Sequence, residues 1–314
     1  MIKLVRFGLT LVFTCAFLAT AVSVAAEPKY FQDCTNCPEM VPIPPGSFYM
    51  GTPDSVTQFE GVKAKRGKRE RPVHQVRINL KYALGKYEVT RQQYRAFIND
   101  SGYKAPGGCK YWTGDKFEIA DDKDWKDPGY PQEDNHPAVC ISWNDAKAYT
   151  KWLSLKTRRA YRLPSEVEWE YAARAGSGTA RFWGNESRKA CKFANVFDRT
   201  GAANGEFLTM TPHLCDDGYK QTSPVGSFEA NAFGLHDTAG NAWEWNEDCW
   251  HKSYRGAPID SRAWTTGGRC NQRIVRGGSW ISIPRYVRSG NRSKINKDSR
   301  IYRNGFRVAL TLGP

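Results

Sequence analysis

RLPSEVEWEYAARAG, residues 162–176, spells a complete helix with its start and stop. Ser165 followed three positions later by Glu168 is a capping box, in which each side chain satisfies a backbone N–H that the first turn leaves unpaired. Val167, Tyr171 and Ala172 then fall on one face, and Gly176 supplies the stop. Working outward, Thr90-x-x-Gln93 opens a second helix that buries Tyr94, Phe97 and Ile98. Ser142 caps a third, burying Ala146, Tyr149, Trp152 and Leu153. These aromatic stripes read as core. Met40 to Gly51 reads as strand, turn at Pro45-Gly46, and strand. Val73 to Ala83 alternates, with Val76, Ile78 and Leu80 on one face, and predicts a strand. Beyond Gly176 the Gly, Asn, Asp and Trp residues recur with neither period. Irregular chain inside a compact domain needs staples, either disulfides or metal ions.

The N-terminus has the layout of a secretory leader. Lys3 and Arg6 precede an apolar run from Phe7 to Val24, and Val24-Ala25-Ala26 offers small side chains before Glu27. Residues 1–26 are therefore expected to be a signal peptide and the mature protein to be periplasmic or secreted. A membrane anchor would want a stop-transfer signal, and a lipoprotein would want a smaller residue than Thr14 before Cys15. No later run of 18 apolar residues occurs, so no transmembrane segment is expected after cleavage. Residues 27–37 read as a lead-in holding Cys34-x-x-Cys37, and residues 38–314 as one domain.

Cys15 leaves with the leader, and the eight remaining cysteines are an even number in an exported chain, which reads as disulfides. Spacing alone does not decide among about 105 pairings. Sequence-local pairing is expected: Cys34–Cys37, Cys109–Cys140, Cys191–Cys215 and Cys249–Cys270. Net charge is +14, with the densest basic run at residues 63–71. That run has no interleaved aromatics, so it does not suit nucleic acid. It is expected to be a mobile, solvated loop, facing an anionic surface if it faces anything.

Seven stretches carry a resemblance: VPIPPGSFYMG (41–51), GKYEVTR (85–91), HPAVCISW (136–143), RLPSEVEWEYAARAG (162–176), NAFGLHDTAGNAWEW (231–245), VRGGSW (275–280) and GFRV (305–308). In this order they resemble the formylglycine-generating enzyme, or sulfatase-modifying factor, family over nearly the whole chain. The resemblance implies an α+β fold, a C-type-lectin-like variant with little regular secondary structure, stapled by disulfides and calcium. Family enzymes bind copper through two cysteines shortly after the Gly-Gly-Ser motif. Here Gly277-Gly278-Ser279 is followed by Trp280-Ile-Ser-Ile-Pro-Arg-Tyr-Val287, and no cysteine occurs from Asn271 to Pro314. Ser282 is no substitute, since a hydroxyl is a poor Cu(I) ligand. No copper is expected. The five histidines form no spaced pair, which leaves only a convergence in space, such as His136, His236 and Glu247, for another transition metal.

Hard cations are another matter, because they take oxygen ligands that irregular backbone can supply. Asp237, Gly240, Ala242 and Glu244 match the family's second calcium motif, and Asn195, Val196, Asp217 and Tyr219 its first. The two carboxylates of the second are expected to repel one another until an ion joins them. For the substrate pocket the candidates are Ser279, Trp280, Trp243 and Arg285: close backbone approach after Gly-Gly, a stacking face, and a carboxylate clamp. The family holds a cysteine-poor, periplasmic precedent in siderophore (pyoverdine) chromophore maturation. Two functions follow. One is maturation or oxidative modification of an exported peptide or protein; the other is a non-catalytic, lectin-like module for a protein or small ligand.

Overall fold

The computed structural model describes Met1 and residues 30–203, 207 and 209–313; the leader expected at 1–26 lies outside the described residues. The strands are β1 (Phe31–Gln32), β2 (Glu39–Ile43), β3 (Gly46–Met50), β4 (His74–Ile78), β5 (Tyr82–Gly85), β6 (Cys109–Trp112), β7 (Phe117–Ala120), β8 (Tyr161–Arg162), β9 (Trp243–Trp250), β10 (Arg269–Arg276), β11 (Ser293–Asn296), β12 (Asn304–Gly305) and β13 (Ala309–Thr311). The helices are α1 (Asp54–Phe59), α2 (Ala64–Gly67), α3 (Arg91–Ser101), α4 (Trp143–Thr157), α5 (Glu166–Arg174) and α6 (Arg199–Ala202). Two sheets organise this α+β chain, one in the order β1-β2-β5-β13-β8 and one in the order β11-β10-β9-β12, with the β3–β4 and β6–β7 ribbons beside them. No described helix is long and apolar enough to cross a membrane.

The three long helices start where their caps dictate. Thr90, Ser142 and Ser165 each accept the N–H three residues on, and each box is closed by Gln93, Asp145 or Glu168. Helix α5 ends at Ala175, itself left-handed at φ 45°, one residue before Gly176. Tyr94, Phe97, Tyr149 and Trp152 pack with Trp245 and Phe306 in the largest core cluster. Val41, Ile43, Val76, Ile78, Val167 and Tyr171 form a second cluster. All four expected disulfides are present: Cys34–Cys37, Cys109–Cys140, Cys191–Cys215 and Cys249–Cys270.

Three expectations change. The lead-in is part of the domain: Phe31 pairs with Met40, Asp33 binds Arg159 and Tyr161, and Cys37 is fully buried. The two strands read on either side of Pro45 are present as β2 and β3, with β2 joining β5 and β3 joining β4. The 73–83 stretch breaks after Ile78, which leaves Leu80 exposed. The basic run is not a mobile loop. It forms α2 and a 3-10 turn at Lys68–Glu70, and Glu70 is buried in a two-pronged ion pair with Arg288.

The described residues between Gly176 and Ala242 are irregular apart from a 3-10 turn at Ser187–Lys192 and α6, but β9 and β10 then run eight residues each. Strand β9 shows no alternation because nearly every residue in it is buried, polar ones included. Its Glu244 and Asp248 are matched by Arg307 and by backbone N–H groups. Fully buried Arg181, Arg276, Arg288, Arg292 and Arg307 each meet a glutamate. Buried charges persist only when so paired.

Candidate functional site

Two groups of oxygen donors meet at one wall. The loop entering β9 holds Asp237 and Asn241 with positive φ, 55° and 50°, an uncommon conformation that local hydrogen bonds must hold. Gly240 lies against Asn195: a Cβ there would come within 1.9 Å of the Asn195 carbonyl oxygen, so only glycine fits. The Asn241 N–H donates to that same carbonyl at 2.8 Å. Asp237 Oδ2 accepts from the Gly226 N–H, while Oδ1 is buried with no partner among the described residues. Burial pushes the Asp237 carboxyl up to about 6. Burial and the nearby Asp237 and Glu244 charges push Glu88 well above the usual range. Glu244 does not face Asp237 uncompensated, as the sequence reading supposed. Arg307 grips both its oxygens at 2.6 and 2.7 Å, and Trp169 donates to Oε2. Three buried carboxylates thus share one arginine.

On the other side of the wall, Asn195 Nδ2 donates to the Gln221 carbonyl, and Asn195 Oδ1 is buried without a partner. Asp217 accepts from the N–H groups of Val196 and Tyr219, and burial raises its carboxyl to about 7. Each group carries one orphaned buried oxygen, Asp237 Oδ1 or Asn195 Oδ1, the type of donor a hard cation takes, while Glu244 is already held by Arg307. Asp198 and Asp217 also approach Cys191, but that sulfur is bonded to Cys215 and offers no thiolate. His136, His236 and Glu247 do not converge; they bind Thr222, the Phe228 carbonyl and Lys147 respectively.

A cleft of about 410 Å³ opens beside this wall, where β9 and β12 lie parallel with Trp243 against Asn304. Trp243, Ile281, Ser282 and Tyr286 line it, with Arg66 from α2 and Arg303 from the turn before β12. The Arg66 guanidinium lies 4.3 Å over the Tyr286 ring and that of Arg285 at 5.1 Å. Burial opposes ionisation of the Tyr286 phenol, yet the hydrogen bond from Arg285 and the charges of Arg66, Arg285 and Lys63 hold it below its ordinary value. Ser282 Oγ accepts from the Ser279 N–H. All eight cysteines from Cys34 to Cys270 are in disulfides, so the cleft offers copper no thiolate and the residues present do not fit it. A larger cleft of about 530 Å³ lies elsewhere, beside Phe48, Tyr171 and Arg174.

Of the four pocket candidates, only Trp243 lines this cleft. Ser279 is fully buried and Trp280 packs edge-on against Tyr130 and Tyr302, so both support the wall from behind. Arg285 is not in the lining but lies over the ring of Tyr286, which is. Arg66, Tyr286, Arg303 and Asn304 were not foreseen. Arg66 sat in a run read as solvated, and Arg303-Asn304 adjoin GFRV with no pattern of their own.

The sequence profile described as the sulfatase-modifying factor enzyme 1-like domain matches residues 26–312. The chain is 31% identical over 308 residues to the formylglycine-generating enzyme of Bos taurus, covering 86% of this chain and 74% of that one. It is 29% identical over 307 residues to the inactive C-alpha-formylglycine-generating enzyme 2 of Bos taurus, covering 87% and 88%. The solved structure of PvdO from Pseudomonas aeruginosa superposes with a TM-score of 0.76 at 39% identity, over 92% of this chain and 100% of that one. With the seven motifs in order, one profile across the whole described domain and a shared fold, the chain belongs to the sulfatase-modifying factor (formylglycine-generating enzyme) family.

Proposed function

We propose that this chain is an exported family member that acts in the maturation or oxidative modification of an exported peptide or protein, binding it in the Trp243–Tyr286 cleft and using no copper–thiolate chemistry. One observation carries the reading: the cleft opens directly after Gly277-Gly278-Ser279, with Ser282 and Tyr286 in its lining and no thiol. Trp243 provides a stacking face, and Tyr286, its pKa lowered by arginines, is a group able to take or give a proton. The 29% identity to the inactive C-alpha-formylglycine-generating enzyme 2 of Bos taurus supports a role away from formylglycine generation. Four disulfides support a periplasmic or secreted site of action. We further propose structural calcium at Asp237, Gly240, Ala242 and Glu244 and at Asn195, Val196, Asp217 and Tyr219, where the ion would neutralise Asp237 and Asp217, Glu244 being already paired with Arg307, and tie the loop before β9 to the core. Exposed Lys63, Lys65 and Lys68 remain available to an anionic surface.

The test is mass spectrometry of exported peptides from the source cell with and without the gene. A peptide that differs by two hydrogens between the strains supports modification. A peptide that co-purifies with the protein at unchanged mass in both strains identifies a binding module instead, and the missing thiol in the cleft is the observation favouring that alternative.

A further inference from the structure

The protein matches its buried arginines to glutamates, but not those of the cleft. Arg66 rests on Tyr286 at 4.3 Å, and its Nε is buried without a partner. Arg303 lies 5.6 Å over Phe117 and 5.7 Å over the Tyr302 ring. Neither forms an ion pair among the described residues, whereas Arg288, close by, has both prongs on Glu70. Cations held against aromatic faces in a part-desolvated cleft, with no direct ion-pair partner, have capacity left for an anion.

Asn304 makes the second, independent observation. It lines the same cleft and is fully buried, yet neither Nδ2 nor Oδ1 has a hydrogen-bond partner among the described residues. Buried carboxamides are nearly always satisfied, and one left unpaired in the lining of a cleft is placed to take its partner from a molecule in that cleft. The side chain cannot escape by a backbone shift. Asn304 is bonded through its N–H to Ile301 and through its C=O to Ile141, and a Cβ on the following Gly305 would meet the Ala138 carbonyl at 2.6 Å. The larger cleft shows no such vacancy, because Arg174 there is satisfied by Glu170, the Gly51 carbonyl and the Thr179 carbonyl.

We propose that Asn304, Arg303 and Arg66 form a carboxylate-recognition site in the cleft, which selects acidic peptides that lay an aromatic or apolar group against Trp243. Asn304 Nδ2 donates to one carboxylate oxygen and the guanidinium groups neutralise the charge. Oδ1 accepts a peptide N–H. The inference rests on the cleft being the substrate site. The carboxylate comes either from a peptide C-terminus or from an acidic side chain.

Three probes separate these: N-acetyltyrosine with its carboxylate free, N-acetyltyrosine amide, and N-acetylaspartyltyrosine amide. Binding is read by calorimetry or ligand-observed NMR on the purified protein. At least one carboxylate probe should bind about tenfold tighter than the neutral amide. Preference for the first identifies a C-terminus, and for the third an acidic side chain. Arg303→Gln should remove most of that tenfold margin and leave the neutral amide unaffected. Asn304→Leu should weaken the carboxylate probes similarly while raising the Tm, since it removes an unsatisfied buried amide. Equal affinity for charged and neutral probes overturns the proposal. So does an Asn304→Leu protein with lowered Tm and undiminished affinity, which would make Asn304 structural. Binding needs no turnover: carboxylate-dependent binding without any peptide modification sinks only the modification reading, and modification indifferent to the carboxylate sinks only this one.

Discussion

At the scale of single residues, the site depends on positions whose chemistry is local but whose partners are distant. Gly240→Ala would drive a methyl group into the Asn195 carbonyl from a left-handed backbone. The expected loss, read by chemical denaturation, is more than about 3 kcal/mol, the upper range of single substitutions. A loss under 1 kcal/mol, about what an exposed glycine would cost, would show that the wall between the two oxygen clusters yields. Asp248 accepts from the N–H groups of Glu166 and Trp264, and burial, with help from the Glu166 charge, raises its carboxyl to about 7. A raised carboxyl favours the folded state below the unfolded pKa near 4, and that advantage is lost as the pH climbs through about 7. Asp248→Asn cannot titrate, so its stability relative to wild type should improve by up to about 1.4 kcal/mol per pH unit between pH 4 and 7. Parallel pH–stability curves for the two proteins would contradict this. Asp237, Glu244, Asn195 and Asp217 were legible because they stand in motifs that resemble the family's. The sequence hid Asn304, Arg303 and Arg66, because a side chain left without a partner is defined by what surrounds it and not by its neighbours in the chain.

At the scale of elements, the starts of the three long helices were readable to the residue, while the short helices and most strands were not. A capping box is complete within four residues, so Thr90, Ser142 and Ser165 declared their helices unaided. Strand β9 gave no sign because burial on both faces erases the period of two. The segment at 63–71 misled for a related reason. Composition counts its charges but not the one that turns inward, and Glu70 fixes the whole segment through Arg288. Native wild-type protein should therefore resist trypsin between Lys63 and Arg71 despite the density of cleavage sites. Glu70→Gln, which leaves Arg288 buried and under-compensated, should cost about 3 kcal/mol and open the segment to cleavage. Rapid tryptic cutting of the wild type there would return it to a loose surface loop.

At the scale of the whole molecule, the long irregular middle is held by covalent and electrostatic staples. Thiol titration under denaturing, non-reducing conditions should find no free thiol between residues 27 and 314; two or more would break the pairing seen here. Calcium bound to the folded state alone adds RT ln(1 + [L]/Kd), about 2.7 kcal/mol at a hundredfold excess over Kd. Chelation should lower the Tm, calcium should restore it, and Asp237→Ala or Asp217→Ala should each remove part of the response. A melting curve indifferent to chelator and added calcium would leave both oxygen clusters as turn formers. The order of the disulfides carries a consequence for biogenesis. Each cysteine from Cys34 onward bonds to the next one or the previous one along the chain, so no bridge encloses another. A thread drawn N-terminus first into an oxidising compartment presents its thiols already in matching couples. An oxidase that joins each arriving thiol to its predecessor writes the native pattern in a single pass, and a host stripped of its disulfide isomerase should still deliver the protein correctly cross-linked.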